Sequence, residues 1–572
     1  MAAPREQRIV SGMLRAGLAA AACLAALSDA RAGFPIILRD VTDKTGITFR
    51  HTDGSSGSRY IMEAMSAGMA IFDYDGDGDA DIYFLNGAPL KGARAGAAPT
   101  NALYRNDGGF KFTDVTKQAR VGDRGFGLGV CAGDYDNDGD LDLYLNNFGP
   151  NVLYRNNGDG TFTDVTKQAG VANGRKVGAG VCFLDMDGDG DLDLYVANYV
   201  RFDYKTHRQN RIHGVSTYVG PMNYPPEPDT LYRNDGDGTF TDVSAASGVG
   251  KDARWGMGMV CADYDGDGDT DVFVGNDVSF NALFRNDGTG KFEDVGLPGG
   301  VAVDVAGNEQ GSMGIECGDY DNDGWLDFHQ TSYDKQLAVL FRNLGDGSFE
   351  DVTLATRVGA GTEAQVTWGN GLVDFDSDGD RDLFIACGHI QDNVEKFDDT
   401  QQYLACNLLL MNTGDGKFVN VSDRCGDGLA VKLASRGAAF DDLDNDGDID
   451  VVILNSRREP TVLRNDSPAV NHWLQVRLRG TKTNRDGVGA HVKVTAGHRT
   501  QIAEVHSGRA YQSHYGMRLH FGLGKQDRID RVEVRWIGGG VDVLKDVPAD
   551  RLLTIQEGKG IRGASGATRR AP

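Results

Sequence analysis

The nonapeptide DYDGDGDAD, residues 73–81, returns six more times: DYDNDGDLD from Asp134, DMDGDGDLD from Asp185, DYDGDGDTD from Asp263, DYDNDGWLD from Asp319, DFDSDGDRD from Asp374 and DLDNDGDID from Asp442. Every copy keeps Asp at positions 1, 3, 5 and 9 and Gly at position 6. Carboxylates packed this densely repel one another, so the segment needs a counter-charge to stay compact. A device used seven times also belongs to the architecture, and a repeat fold is the first expectation.

Each acidic segment sits in a longer unit. A Gly-rich apolar run precedes it, as in GLGVCAGD and GAGVCFLD. An alternating strand follows, such as LDLYLNN, then a third element such as DTLYRNDGDGTF, then FTDVT or FEDV. Short period-2 runs separated by Gly, Asn and Asp turns read as antiparallel hairpins. Four strands per unit and seven units predict an all-β fold, a seven-bladed β-propeller over residues 33–467. Gly suits the first strand because inner strands crowd the axis. A linear β-solenoid is the alternative, disfavoured by uneven spacing and the four-strand unit. The last unit lacks an FTDVT element, while LRDVTDKTGI near the start matches one. The N-terminal segment is therefore expected to supply the missing outer strand and leave no open sheet edge. After Pro468 the Asp loops stop, and residues 468–557 read as a small β-sandwich-like domain. Residues 558–572 read as a disordered tail.

The loop chemistry points to calcium, which takes roughly six to eight oxygens in a loosely held shell. Asp at positions 1, 3, 5 and 9 supplies carboxylates, Gly at 6 allows the turn, and position 7 supplies its backbone oxygen. The expected side-chain ligands are Asp73, Asp75, Asp77 and Asp81, with the Asp79 carbonyl. They recur as Asp134, Asp136, Asp138 and Asp142 with Asp140, and as Asp185, Asp187, Asp189 and Asp193 with Asp191. Next come Asp263, Asp265, Asp267 and Asp271 with Asp269, then Asp319, Asp321, Asp323 and Asp327 with Trp325. The last two sets are Asp374, Asp376, Asp378 and Asp382 with Asp380, and Asp442, Asp444, Asp446 and Asp450 with Asp448. Trp325 tests the assignment, because only a backbone donor survives Trp at position 7. An EF-hand would need Glu at position 12, where Phe84, Leu145 or Val196 stands, and helical flanks. About seven structural calcium ions are expected, one per loop.

The chain has 572 residues and a net charge of −25, with much of the acid in these loops. That balance argues against nucleic acid as a partner. Arg5, Arg8 and Arg15 precede the apolar run Ala16–Leu27, and Ala30 and Ala32 mark a cleavage site, so residues 1–32 read as an export signal. Cys23 is a weak lipidation candidate. The run is too short for a bilayer, which takes roughly 20 apolar residues, and no later stretch qualifies. A secreted, periplasmic or surface location follows. Cys131, Cys182, Cys261 and Cys317 fall in apolar strands and are expected as buried thiols. Cys387, Cys406 and Cys425 lie in less regular sequence; export permits a disulfide between two of them, and the sequence leaves open which two.

The Asp loops together with the LYRNDGDGTF signature resemble the FG-GAP, or VCBS, repeat of integrin-α-like propellers. The stretch NHWLQVRLRGTKTNRDGVGAHVKVTAG with RVEVRW resembles the ASPIC and UnbV domain. The combination is similar to the cartilage acidic protein family of secreted proteins. The resemblance implies the propeller, calcium and export; it brings no reaction with it.

In integrin-like blades the calcium loops share one face, which puts the long links 86–101, 198–229 and 387–406 on the opposite, upper face. Long loops on a rigid scaffold are the usual place for binding. Link 198–229 carries Tyr199, Arg201, Arg208, Arg211 and Tyr218, a basic and aromatic set that suits an anionic or glycan-like ligand as readily as packing on neighbouring blades. Trp255, Trp368 and His389, with Glu63, Arg124, Lys176, Arg254 and Arg436, are expected near the upper mouth of a funnel. No G-x-S-x-G, H-E-x-x-H or phosphate loop occurs. The C-terminal histidines match no metal template. The expectation is therefore an extracellular binding or adhesion module for a protein or glycan, with an enzyme acting in the funnel as the alternative.

Overall fold

The computed structural model describes residues 34–66, 68–93 and 99–566. The expected export signal lies outside them. Among the described residues, no helix is long and apolar enough to cross a membrane. The described α-helices run four or five residues each, and strands build the rest.

Each repeat folds into four antiparallel strands. In the first, Met69–Phe72, Asp81–Phe84, Ala102–Asn106 and Phe112–Asp114 pair in that order. The second and third repeats have the same order and are joined into one sheet by a pairing of Lys176 with Gly149. The first strand of each repeat packs beside the first strand of the next, and Ser435–Asp441 of the last packs beside Met69–Phe72 of the first. The repeats thus form a propeller-like ring. Glycines make this approach possible: a Cβ at Gly129 would stand 2.1 Å from the Ala179 carbonyl oxygen, and one at Gly258 2.1 Å from that of Met313.

The ring closes with borrowed sequence. Leu38–Asp40 pairs with Thr461–Asn465, Leu38 opposite Asn465 and Asp40 opposite Leu463. Leu38 also donates its N–H to Cys425 O at 2.7 Å, which ties the same strand to the preceding repeat. The expected outer strand therefore forms, over three residues. The cores lie between adjacent sheets, as where Phe72, Tyr83 and Leu103 of one repeat meet Val130, Leu143 and Leu145 of the next.

The C-terminal domain stacks two four-stranded sheets. One holds Arg518–Gly524, His472–Arg479, Arg551–Gln556 and Gly560–Gly566; the other holds Arg499–Glu504, His491–Ala496, Arg528–Arg535 and Val541–Pro548. Of the disordered tail expected over 558–572, residues 560–566 form a strand instead, and 567–572 lie outside the described residues. Gly560–Gly566 pairs with Arg551–Gln556, because main-chain pairing at a sheet edge asks nothing of side-chain composition.

The cysteines also depart from expectation. Cys182 and Cys261 form a disulfide between the first strands of two neighbouring repeats. Cys131, Cys317, Cys387, Cys406 and Cys425 are free thiols. Packing of inner strands around the axis brings together residues 79 positions apart, which local sequence cannot show.

Candidate metal centres

The acidic loop folds on its own carboxylates. At position 1, Asp73 accepts from the Gly78 N–H at 3.1 Å, and Asp134 accepts from Gly139 at 2.7 Å. Gly at position 6 is required there, with φ of 99° at Gly78 and 108° at Gly139. At position 5, Asp77 accepts from Asp79 N–H at 2.9 Å, and Asp323 from Trp325 N–H at 3.0 Å. The Trp-containing copy thus keeps the same loop. Position 7 side chains turn outward: Asp79 accepts from Asn445 of the preceding repeat at 2.6 Å, and Asp191 from Asn137 at 2.9 Å.

Positions 1, 3 and 9 converge. In the triads Asp73, Asp75 and Asp81; Asp134, Asp136 and Asp142; Asp185, Asp187 and Asp193; Asp263, Asp265 and Asp271; and Asp319, Asp321 and Asp327, one oxygen per residue lies within 4.8 Å of the others, and two further groups meet the same limit. The ninth Asp is buried in every loop, and the first Asp in all but the loop at Asp73. Asp81 is fully buried and accepts from Tyr74 N–H at 3.0 Å and Asn106 N–H at 2.7 Å. Burial pushes its carboxyl up to about 9 and holds those of Asp142, Asp193, Asp271, Asp327, Asp382 and Asp450 well above the usual range. Burial likewise raises Asp134 to about 8 and Asp185 to about 7. A divalent cation reverses that penalty by pairing with the ionised form. Asp73, Asp136 and Asp187 each have a buried Oδ1 with no hydrogen-bond partner, which fits a cation-binding shell of hard oxygens.

Two families match this chain. The FG-GAP-like repeat family matches residues 73–145, 137–196, 218–274, 263–329 and 374–453. The chain belongs to the FG-GAP-like repeat family. The ASPIC and UnbV family matches residues 480–562, past the point where the tail was expected. Cartilage acidic protein 1 of Mus musculus is 26% identical over 529 residues, covering 86% of this chain and 73% of that protein. The Homo sapiens protein of the same name is 25% identical over 523 residues, covering 86% and 72%. Among solved structures, an Agrocybe aegerita lectin that recognises non-reducing terminal N-acetylglucosamine has 19% identity and a TM-score of 0.38, covering 64% of this chain and 82% of that one.

The FG-GAP repeats carry a residue that the motif reading passed over. The Asn ending each third strand bridges two repeats. Asn106 Nδ2 donates to Ala80 O of its own loop at 3.1 Å and to Leu443 O of the last repeat at 2.8 Å. Asn156 reaches Tyr74 O, Asn234 Tyr135 O, Asn286 Met186 O, Asn343 Tyr264 O, Asn412 Tyr320 O and Asn465 Phe375 O, at 2.7 to 2.9 Å. Its signal was present in the repeated Tyr-Arg-Asn text, which reads as turn chemistry until the neighbouring repeat is in place.

The ASPIC and UnbV domain is no separate appendage. It covers the Asp-loop face of the FG-GAP ring. Arg477 contacts Asp73 at 3.0 Å, Gln475 contacts Asp442 at 2.9 Å, Arg499 contacts Asp380 at 3.0 Å, and Arg535 pairs with Asp263. Asp486 accepts from Asp134 N–H at 2.7 Å. Its segment 505–517 enters the channel. Ala510 exchanges main-chain hydrogen bonds with Ile315, His514 bridges to Ala70, and Ser507 to Phe183. Arg509 and Tyr515 both engage buried Glu316, and Tyr511 packs edge-on against Trp368 with centroids 4.9 Å apart.

The funnel expected at the axis is therefore filled. Trp368 is buried, donates to Gly388 O at 2.7 Å and carries the Arg436 guanidinium 4.1 Å from its ring. His389 is buried, accepts from Gln391 N–H at 2.9 Å, and burial lowers it to about 4. Tyr199 is buried and donates to Asp277 at 2.6 Å; Tyr218 is buried, receives Arg457 Nη2 at 3.2 Å and lies under Arg59. All four are engaged with neighbouring protein segments, three on the upper links and Trp368 in the strand Thr367–Val373, which is the packing arrangement weighed above beside ligand contact. Trp255 is half-buried, bonded to Tyr224 O at 3.2 Å. Arg201, Arg208 and Arg211 remain exposed, with Arg201 paired to Glu227 at 3.2 Å. The upper links do meet one another. Gln391 of 387–406 exchanges bonds of 2.7 and 3.0 Å with Tyr218 of 198–229, and Lys91 of 86–101 lies over Tyr204.

Proposed function

We propose that this chain is an exported binding module, a seven-bladed propeller stabilised by about seven calcium ions, that captures an extracellular protein or glycan on its upper face. The buried ninth Asp carries the calcium reading. An ionised carboxylate with a raised pKa, held by two backbone N–H groups beside two further carboxylates, is costly without a cation and favourable with one. Asp at positions 1, 3, 5 and 9 would hold each ion, with the position 7 carbonyl. Calcium would supply charge neutralisation and cross-linking of each hairpin. The export reading rests on residues 1–32 and on relatives whose name places them with cartilage.

The binding reading rests on division of labour between faces. The Asp-loop face is covered by the C-terminal domain and the axis is filled by 505–517, so exposed Arg201, Arg208, Arg211 and half-buried Trp255 leave the upper face as the open one. An enzyme working inside the funnel would need space that Ala510, Tyr511 and Tyr515 occupy. Metal analysis of the purified protein tests the first claim, with about seven equivalents of calcium expected; a calcium-free protein with an unchanged melt in chelator would sink it. Capture of extracellular proteins and glycans on an array tests the second, and loss of capture by changes to the C-terminal domain alone would move the site there.

A further inference from the structure

Link 198–229 divides into a buried root and an exposed arm. At the root, Tyr60, Phe202, Tyr204, His207 and Tyr224 pack ring against ring, and His207 is held between Tyr224 Oη at 2.8 Å and Ser58 O at 2.9 Å. Asn393 clamps the base through Ser216 O at 2.9 Å. Beyond it, Asn210–Ile212 pairs with Val215–Thr217 across a tight turn at His213 and Gly214, both in the left-handed region. A two-stranded hairpin is marginal alone, and the rooted base supplies the order it lacks.

The charge on this arm runs against the chain. No acidic residue occurs from Tyr204 to Pro226, although the protein as a whole carries −25. Lys205, Arg208 and Arg211 are exposed. Arg208 uses one terminal nitrogen, Nη1, on the carbonyls of Lys205, Thr206 and His207, and Arg211 uses Nη1 on Gly214 O. Their remaining N–H groups face no carboxylate among the described contacts. The nearest acids sit at the root, where Asp203 accepts the Lys205 N–H at 2.9 Å and Glu227 pairs with Arg201, so a ligand at the arm meets three exposed cations beyond them.

Resting on the reading that capture occurs on this face, we infer that the arm at 205–216 binds an acidic polysaccharide, a polymer bearing repeated carboxylate or sulfate groups. Three features choose that class. The arm is a projection and not a pocket, so it suits a long polymer and not a small anion, which needs convergent donors. It places three exposed cations, Lys205, Arg208 and Arg211, at every third position, which suits a ligand that repeats its anionic groups. Its aromatic rings are spent at the root, which leaves no stacking platform for the bases of single-stranded nucleic acid. A repeating polyanion needs neither pocket nor platform, because it can rebind along its length.

The test uses the full-length calcium-loaded protein with polygalacturonate and heparin as probes, and neutral dextran and oligothymidylate as comparators. The wild type should bind at least one acidic polysaccharide, more weakly as salt rises, and dextran not at all. The triple variant Lys205→Ala, Arg208→Ala, Arg211→Ala should bind roughly tenfold or more weakly with an unchanged melting temperature. Unchanged binding by the triple variant overturns the inference, as does oligothymidylate binding equal to the polysaccharide. If Lys396→Ala, on the neighbouring upper link, weakens binding while the triple variant does not, the arm is wrong and the upper face stands. If the wild type binds neither polysaccharide, the arm inference falls, and the array screen separately decides whether the upper face captures anything.

Discussion

Asn106 Nδ2 lies 2.8 Å from the Leu443 carbonyl oxygen, a hydrogen bond that joins the first repeat to the last across 337 residues. The same bond recurs at every other seam between consecutive repeats. It fastens the second residue of one Asp loop to the third strand of the next repeat. Loop, strand and ring closure are therefore one connected hydrogen-bonded system.

Replacing Asn106 with Ala removes two buried donors and leaves the Leu443 and Ala80 carbonyls short of a partner. A cost of about 1–3 kcal/mol is expected, read as a lower melting temperature. Asn286→Ala, at a seam within the chain, should cost a similar amount. A silent Asn106→Ala would mean that the first and last repeats do not depend on this bond.

Chelation should lower the melting temperature well beyond an ionic-strength control. Within one loop the effect of substitution should be ordered. Asp81→Ala leaves the N–H groups of Tyr74 and Asn106 unpaired at about 1–3 kcal/mol each and also removes a ligand. Asp79→Ala keeps the carbonyl and should be milder. Equal losses of calcium stoichiometry in the two variants would remove the distinction between positions 7 and 9.

Deleting residues 34–41 should expose the edge at Thr461–Asn465 and open the last repeat. Earlier unfolding and association into larger species are expected by calorimetry and light scattering. A truncated protein that melts with the full-length chain would show that the latch is dispensable.

Arg509→Ala should leave Glu316 as a buried carboxylate without its cationic partner, held only by hydrogen bonds such as that from Tyr515, at about 3–5 kcal/mol. Because Arg509 belongs to the segment that fills the channel, the change should also speed proteolysis of the C-terminal domain. Restored stability in the double variant Arg509→Ala, Glu316→Ala would confirm the pair as the cause.

Acid should destabilise the protein at saturating calcium through its buried histidines. Burial lowers His51 and His329 to about 3 and His389 to about 4, against 6.5 for an ordinary histidine. Below 6.5 the unfolded chain takes up protons that the folded chain refuses, so stability is full above that pH and is lost as pH falls toward 4. His389→Gln should flatten the melting-temperature profile between pH 6.5 and 5. An unaltered slope would locate the acid sensitivity elsewhere.

Much of the ring was legible. Seven Asp loops in constant register, Gly before each and DVT text at the wrong end of the chain specify strands, turns and even the borrowed outer strand, because these depend on local periodicity and on side-chain chemistry within one unit. The burial of particular rings was not legible. Tyr199, Tyr218, Trp368 and His389 looked available because composition shows polarity and aromaticity without showing which neighbour a ring will meet.

The sequence by itself determined the repeat, the all-β unit and the carboxylate geometry of each loop, since every one of these is settled by residues within a few positions of one another. Only the tertiary structure decided where the C-terminal domain goes. Arg477 finds Asp73, Arg509 finds Glu316 and Cys182 finds Cys261 across long separations, once the repeats have gathered around an axis. Docking of that kind depends on shape and on desolvated charge pairs summed over a whole face, and no short window of sequence carries that sum.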